Sequence, residues 1–358
     1  MSARARRHPG AALLLALAFA AAVSAAPPAR AQEEPDPRLP APRLPAGYSL
    51  VEGDVLVRTD ELGKPNPGRF STFQVDKLWP GGIVPFAYDT SVANYPSRVL
   101  AVQSAMSRLT AANYGSAVLF VPRTSESDYV YYVADTASNY SPVGRQGGRQ
   151  DIHVVSWGSP FVLDHETMHS LGFWHEQSRS DRDTYVTIHT ENICTFCCDG
   201  GSCAYNFQKE GSSSAYGPYD FDSIMHYSKC AFLSPSLFCP GNYTIEVNPP
   251  YAAWQDLIGQ RNHLSRLDRV SLSFLYALGN WRFVDGNAGG PGTGAFLDPW
   301  PDFATGVWST PSGGTLYVQP GSYLAPFGGL STPMRIEAPL GSVQVTAAPS
   351  LATRVRRP

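Results

Sequence analysis

His165-Glu166-Thr167-Met168-His169-Ser170-Leu171-Gly172-Phe173-Trp174-His175 sets three histidines, one glutamate and one glycine at fixed intervals. Residues i and i+4 of a helix share a face, so His165 and His169 can bind one metal ion together. Glu166 follows the first ligand and is angled away from the metal, where it can act as a base toward a metal-bound water without being a ligand. Gly172 can adopt a left-handed backbone at little cost, which ends the helix and swings His175 back as a third ligand. Three imidazoles leave zinc an open position for water, the arrangement of a catalytic rather than a structural site. A helix whose histidines merely pack against the core is the bland alternative. Against it stands a second element downstream, Ser223-Ile224-Met225-His226-Tyr227.

The pattern H-E-x-x-H-x-x-G-x-x-H, followed by a tight Met-containing turn, is the signature of the metzincins. The continuation narrows the resemblance. After His175 come Glu176-Gln177-Ser178-Arg179-Ser180-Asp181-Arg182-Asp183, then Tyr185-Val186-Thr187-Ile188. This is similar to the astacin family of zinc endopeptidases, whose motif runs on as H-E-x-x-R-x-D-R-D. Leu78-Trp79-Pro80-Gly81-Gly82-Ile83-Val84-Pro85-Phe86 resembles the start of the mature astacin domain. Val143-Gly144-Arg145-Gln146-Gly147-Gly148 with Gln150 resembles the region before the zinc helix, and Ile258-Gly259-Gln260-Arg261, Leu264-Ser265, Asp268 and Tyr276 resemble the closing helix.

The resemblance implies an α+β fold, a zincin-like catalytic domain, with a small β-rich C-terminal segment. It implies one zinc ion per chain held by His165, His169 and His175, and peptide-bond hydrolysis by a zinc-activated water with Glu166 as general base. Tyr227 is implied as a weak zinc ligand at rest that swings away to hydrogen-bond the oxyanion, Met225 as an apolar floor, and Glu176 as an acidic anchor for the mature N-terminal region. No other cofactor is expected. Protein or peptide substrates are expected, with the chain a monomer. The competing readings are a noncatalytic zinc-bound peptide-binding protein and a surface-adhesion protein.

The chain has 358 residues, a net charge of −3 and 43% hydrophobic residues. That is enough for a core and more than one typical domain, with no basic field to attract nucleic acid. The terminal cluster Arg354, Arg356 and Arg357 reads as a solvated tail. Arg4, Arg6 and Arg7 precede an apolar run from Ala11 to Ala26, too short to span a bilayer comfortably. This reads as a signal peptide cleaved after Ala29-Arg30-Ala31 or around Ser24 to Ala26, and hence as a secreted, extracellular protein without a membrane span.

The six cysteines, Cys194, Cys197, Cys198, Cys203, Cys230 and Cys239, suit an oxidising compartment. Up to three disulfides are expected, with a second zinc site among Cys194 to Cys203 as the alternative. Spacing does not choose among the pairings. Animal astacins carry cysteines before the V-G-R-x-G-G stretch and before the zinc helix. This chain has none there, so the family's disulfide pattern does not transfer.

The organisation expected is a signal peptide over 1–31, a propeptide over 32–72, the peptidase domain over 73–279 and the β-rich segment over 280–358. In the propeptide, Val51-Glu52-Gly53-Asp54 resembles the F-x-G-D element of astacin propeptides, with Val in place of Phe. By that resemblance Asp54 occupies the fourth zinc position in a zymogen, and a cut near Arg69-Phe70 would remove it. A disordered linker is the alternative. Apolar spacing predicts an amphipathic helix over 97–113 and the zinc helix over 161–171. Strands are expected at Val118–Val121, Val130–Val133 and Ile152–Val155. His153 lies within the last and reads as structural. Beyond Asn280, Gly313-Gly314-Thr315-Leu316-Tyr317-Val318-Gln319-Pro320-Gly321-Ser322-Tyr323 resembles a rung of a parallel β-helix, a unit that needs neighbours to bury its faces.

Overall fold

The computed structural model describes residues 44, 46–59, 69–70, 73–74, 77–111, 118–198, 201–209 and 217–347. The signal-like N-terminus and the terminal arginines lie outside the described residues. The first elements are an antiparallel hairpin, β1 (Tyr48–Val51) and β2 (Val55–Arg58). Its three-residue turn is Glu52-Gly53-Asp54, in which Glu52 and Gly53 have positive φ, 51° and 75°. A second, minimal hairpin joins β3 (Arg69–Phe70) to β4 (Phe73–Gln74), so the expected cut falls within it.

The central domain starts with β5 (Ile83–Tyr88), α1 (Thr90–Ala93) and α2 (Pro96–Thr110). It continues through β6 (Leu119–Pro122), β7 (Tyr129–Ala134), β8 (Ser141–Pro142) and β9 (Arg149–Val154) to α3 (Pro160–Ser170). The strands β6-β5-β7-β9 form one sheet, paired in parallel throughout. A parallel sheet needs cover from helices. Here α2 turns Val102, Ala105, Met106 and Leu109 inward, where they meet Val84, Val130, Ile152 and Leu163 in one core. Arg108 then clamps α2 to α3 through a two-pronged contact with the fully buried Asp164, at 2.9 and 2.5 Å.

The lower half is less regular, held by a small antiparallel pair, β10 (Val186–Ile188) with β11 (Ile245–Val247). Cys194–Cys197, Cys198–Cys203 and Cys230–Cys239 are disulfides and none of the six cysteines is free. The second-metal alternative therefore falls away. Each bond closes a short local loop, a pairing that spacing alone left undecided.

The domain closes with α4 (Arg266–Leu275), started by a capping box between Ser265 and Asp268. Beyond it lie β12 (Trp281–Val284), α5 (Phe303–Ser309), β13 (Thr315–Val318), β14 (Gly321–Leu324), β15 (Arg335–Glu337) and β16 (Val343–Thr346). They form two parallel ladders, β12-β13-β15 and β14-β16. This segment shares a core with the domain before it. Phe274 of α4 meets Phe283, Phe296 and Tyr317 at ring separations of 5.0, 5.4 and 4.6 Å. No helix among the described residues is long and apolar enough to cross a membrane.

Candidate active site

The helix α3 carries His165, Glu166 and His169, all buried. Its last carbonyls have no partner inside the helix, and distant segments supply one for each. Trp79 donates its indole N–H to the Ser170 carbonyl at 2.8 Å. Tyr276 donates its hydroxyl to Leu171 at 2.9 Å. The backbone N–H groups of Gly144 and Gly172 both reach the His169 carbonyl at 2.8 Å. Gly172 has φ 105°, the left-handed backbone expected, and the chain turns there toward His175.

The ring atoms of the three histidines define the site. His165 Nδ1 donates to the Ile224 carbonyl at 2.8 Å, His169 Nδ1 to the Phe173 carbonyl at 2.7 Å, and His175 Nδ1 to the Glu52 carboxylate at 2.7 Å. An acceptor at each Nδ1 fixes the tautomer, so each Nε2 carries a bare lone pair in the neutral ring. These Nε2 atoms converge: His165 lies 3.1 Å from His169 and 3.4 Å from His175. Two nitrogens bound to one tetrahedral zinc stand about 3.3 Å apart, so the cluster fits that ion.

Asp54 completes the set. Its carboxylate lies 3.1 Å from His165 Nε2 and 3.2 Å from His175 Nε2. The four ligand atoms fall within 4.8 Å of one another. Burial holds His165 down to about 4 and, with its two histidine neighbours, pulls His169 well below the usual imidazole range. Both are therefore in the neutral form a metal requires. Burial also pulls on His175, but Asp54 and Glu52 outweigh it and raise the ring to about 9; that proton is one a metal ion would displace.

Glu166 Oε2 is buried and has no hydrogen-bond partner. Burial first, and the Asp54 charge second, raise this carboxyl well above its ordinary range, while Arg261 opposes them. Arg261 is itself buried, with Nε and Nη2 unpartnered, and desolvation lowers it to about 10. It was visible in sequence only as part of a family resemblance and carried no assigned role.

The Met-containing turn is tied from both sides. Asp268 of α4 accepts from Ser223 Oγ at 2.6 Å and from the Ile224 N–H at 2.9 Å, and the Ile224 carbonyl in turn holds His165. Gln177 accepts from the Tyr227 N–H at 2.9 Å. Gly259 packs so close below that a Cβ there would sit 2.3 Å from Ser228 Cα. The Tyr227 ring rests 4.5 Å from the His175 ring, and its hydroxyl donates to the Glu52 carbonyl. Glu176 faces a small cavity beneath, shared with Asp220, Asp268, Met225 and Leu340. There it pairs with Arg179 at 3.1 Å and accepts from the Asp220 N–H at 2.9 Å. His153 stays outside the site, stacked on Tyr140 and bonded to Asp135 at 2.6 Å.

The hairpin β1-β2 fills the cleft. Its β2 runs parallel to β8, with Val55 opposite Ser141, and the Ser141 N–H donates to the Asp54 carbonyl at 2.9 Å. Val55 and Val57 pack with Val143 and Trp174. Gly53 presses on the Phe232 ring, where a Cβ would meet Cζ at 2.5 Å. The segment has no core of its own and borrows one from the domain.

Residues 71–277 match the family model described as Astacin (Peptidase family M12A). High choriolytic enzyme 1 of Oryzias latipes is 34% identical over 232 residues, covering 63% of this chain and 77% of that protein. Tolloid-like protein 2 of Homo sapiens is 34% identical over 253 residues, 68% of this chain and 23% of that protein. The solved structure of the choriolytic enzyme aligns with 33% identity and a TM-score of 0.47, covering 58% of this chain and 94% of that one. The family match ends before the C-terminal ladders and gives no support to their β-helix resemblance. With the matched region spanning more than half its length, the chain belongs to the astacin family of peptidases.

Proposed function

We propose that the chain is a secreted zinc endopeptidase, made as a zymogen that its own hairpin holds silent. The observation that carries this is the convergence of three Nε2 lone pairs and the Asp54 carboxylate, next to a buried, unpartnered Glu166 oxygen. His165, His169 and His175 would hold one zinc ion, which, when bound, polarises the scissile carbonyl and acidifies the attacking water. Glu166 takes the proton from that water and hands it to the leaving amine. Tyr227, once the Glu52 carbonyl leaves its hydroxyl, becomes a weak ligand at rest and a donor to the oxyanion. The substrate is a protein or peptide and the working form a monomer.

The same reading assigns residues 1–31 to a signal peptide, 32–72 to the propeptide, 73–279 to the peptidase and 280–358 to a β-rich segment built like β-helix rungs. Disulfides fit the extracellular location. Full-length protein, treated with trypsin to cut near Arg69-Phe70, should cleave unfolded casein. A zinc chelator should abolish the cleavage and added zinc restore it. Cleavage indifferent to the chelator would refute a zinc peptidase.

A further inference from the structure

We infer that Glu52 is a positioning residue for the metal, so that the hairpin which blocks the site also assembles it. This rests on the zinc reading above but assigns the metal a dependence that reading does not contain. The fourth ligand position belongs to Asp54; Glu52, two residues earlier, touches different parts of the site. Its Oε2 accepts from His175 Nδ1 at 2.7 Å, its Oε1 accepts from Ser178 Oγ, and its backbone carbonyl accepts from Tyr227.

The three zinc-ligand histidines are not held alike. His165 and His169 lean on the carbonyls of Ile224 and Phe173, both within the peptidase domain. His175 leans on the side chain of a residue 123 positions upstream, in the hairpin. An acceptor at the far ring nitrogen orients a metal-binding imidazole and raises its basicity, and its loss typically weakens metal binding by about 10–100-fold. Within the described residues that acceptor for His175 is Glu52.

The backbone agrees. Glu52 has φ 51°, a conformation uncommon for a residue with a side chain. It is also 2% exposed. A carboxylate enclosed in this way is placed by its contacts to His175 and Ser178. Zinc should therefore bind more tightly to the uncut chain, in which Glu52 fixes the third ligand, than to the cut one.

The test is zinc affinity of the uncut, full-length chain, measured by competition with a chromophoric chelator. Glu52→Ala should bind zinc about 10–100-fold more weakly than wild type. Glu52→Gln keeps an oxygen for His175 Nδ1 and an amide for Ser178, and should recover most of the loss. Limited trypsinolysis at Arg58 reports whether the hairpin stays docked; protection equal to wild type is expected in both variants. Equal zinc affinity in wild type and Glu52→Ala would overturn the inference. So would a loss in Glu52→Ala accompanied by rapid cutting at Arg58, which would show undocking rather than positioning. So would a glutamine variant as weak as the alanine one. If wild type itself bound no zinc, the zinc reading would fail first, and the two failures are thus distinguishable.

Discussion

Glu166 and Tyr227 are both buried, but their polar atoms have different surroundings. Glu166 presents an oxygen with no partner, whereas Tyr227 spends its hydroxyl on the hairpin. In the trypsin-cut enzyme, Glu166→Gln should leave zinc content near one per chain and lower kcat/KM by at least about 100-fold. Metal analysis with peptidase assays checks this, and full activity in that variant would remove Glu166 as the base. Tyr227→Phe should lower kcat by about 10²–10³-fold with little change in KM, the signature of a donor used only in the transition state. A change confined to KM would reassign Tyr227 to substrate positioning. The histidine spacing made His165, His169 and His175 legible as a group, because i,i+4 on a helix and a glycine turn are local features. Glu52 left no such trace. A single glutamate between the apolar runs Leu50-Val51 and Val55-Leu56-Val57 has no periodicity to betray it, and its contact with His175 exists only once the hairpin docks.

The hairpin β1-β2 reaches the site through two contacts, both of which block it under the proposed reading. Asp54 lies among the histidines, and Glu52 holds Tyr227 through its backbone. Asp54→Ala in the uncut chain should therefore raise activity only part of the way to that of the cut form. It should leave the cut form unchanged, since residue 54 is then gone. Assays of both variants before and after mild trypsin treatment decide it; an uncut wild type as active as the cut one would dismiss the switch. Element by element, the zinc helix expected over 161–171 runs from Pro160 to Ser170, and the helix expected over 97–113 ends at Thr110. Those patterns are set by neighbouring residues. The strands were legible but not their all-parallel pairing, which depends on what each meets across the sheet. The disulfides were legible in number but not in partner.

At the scale of the molecule, the C-terminal segment is part of the core. Phe274 is 1% exposed and three rings from beyond residue 280 cover it. Ending the chain at Gly279 would bare that ring, at a cost of at least about 2 kcal/mol. The melting temperature should then fall by about 5 °C or more. Calorimetry of the full and shortened chains tests this, and equal melting would make the segment a mere appendage. The far end of the zinc helix has a consequence of another kind. Its carbonyls at His169, Ser170 and Leu171 are satisfied by Gly144, Trp79 and Tyr276, groups spread over nearly two hundred residues of chain. A nascent polypeptide grown only as far as residue 250 has made every histidine of the site but not the tyrosine that finishes its helix. The candidate site is thus among the last parts of the domain that synthesis can complete, well after the hairpin that packs on it has left the exit tunnel.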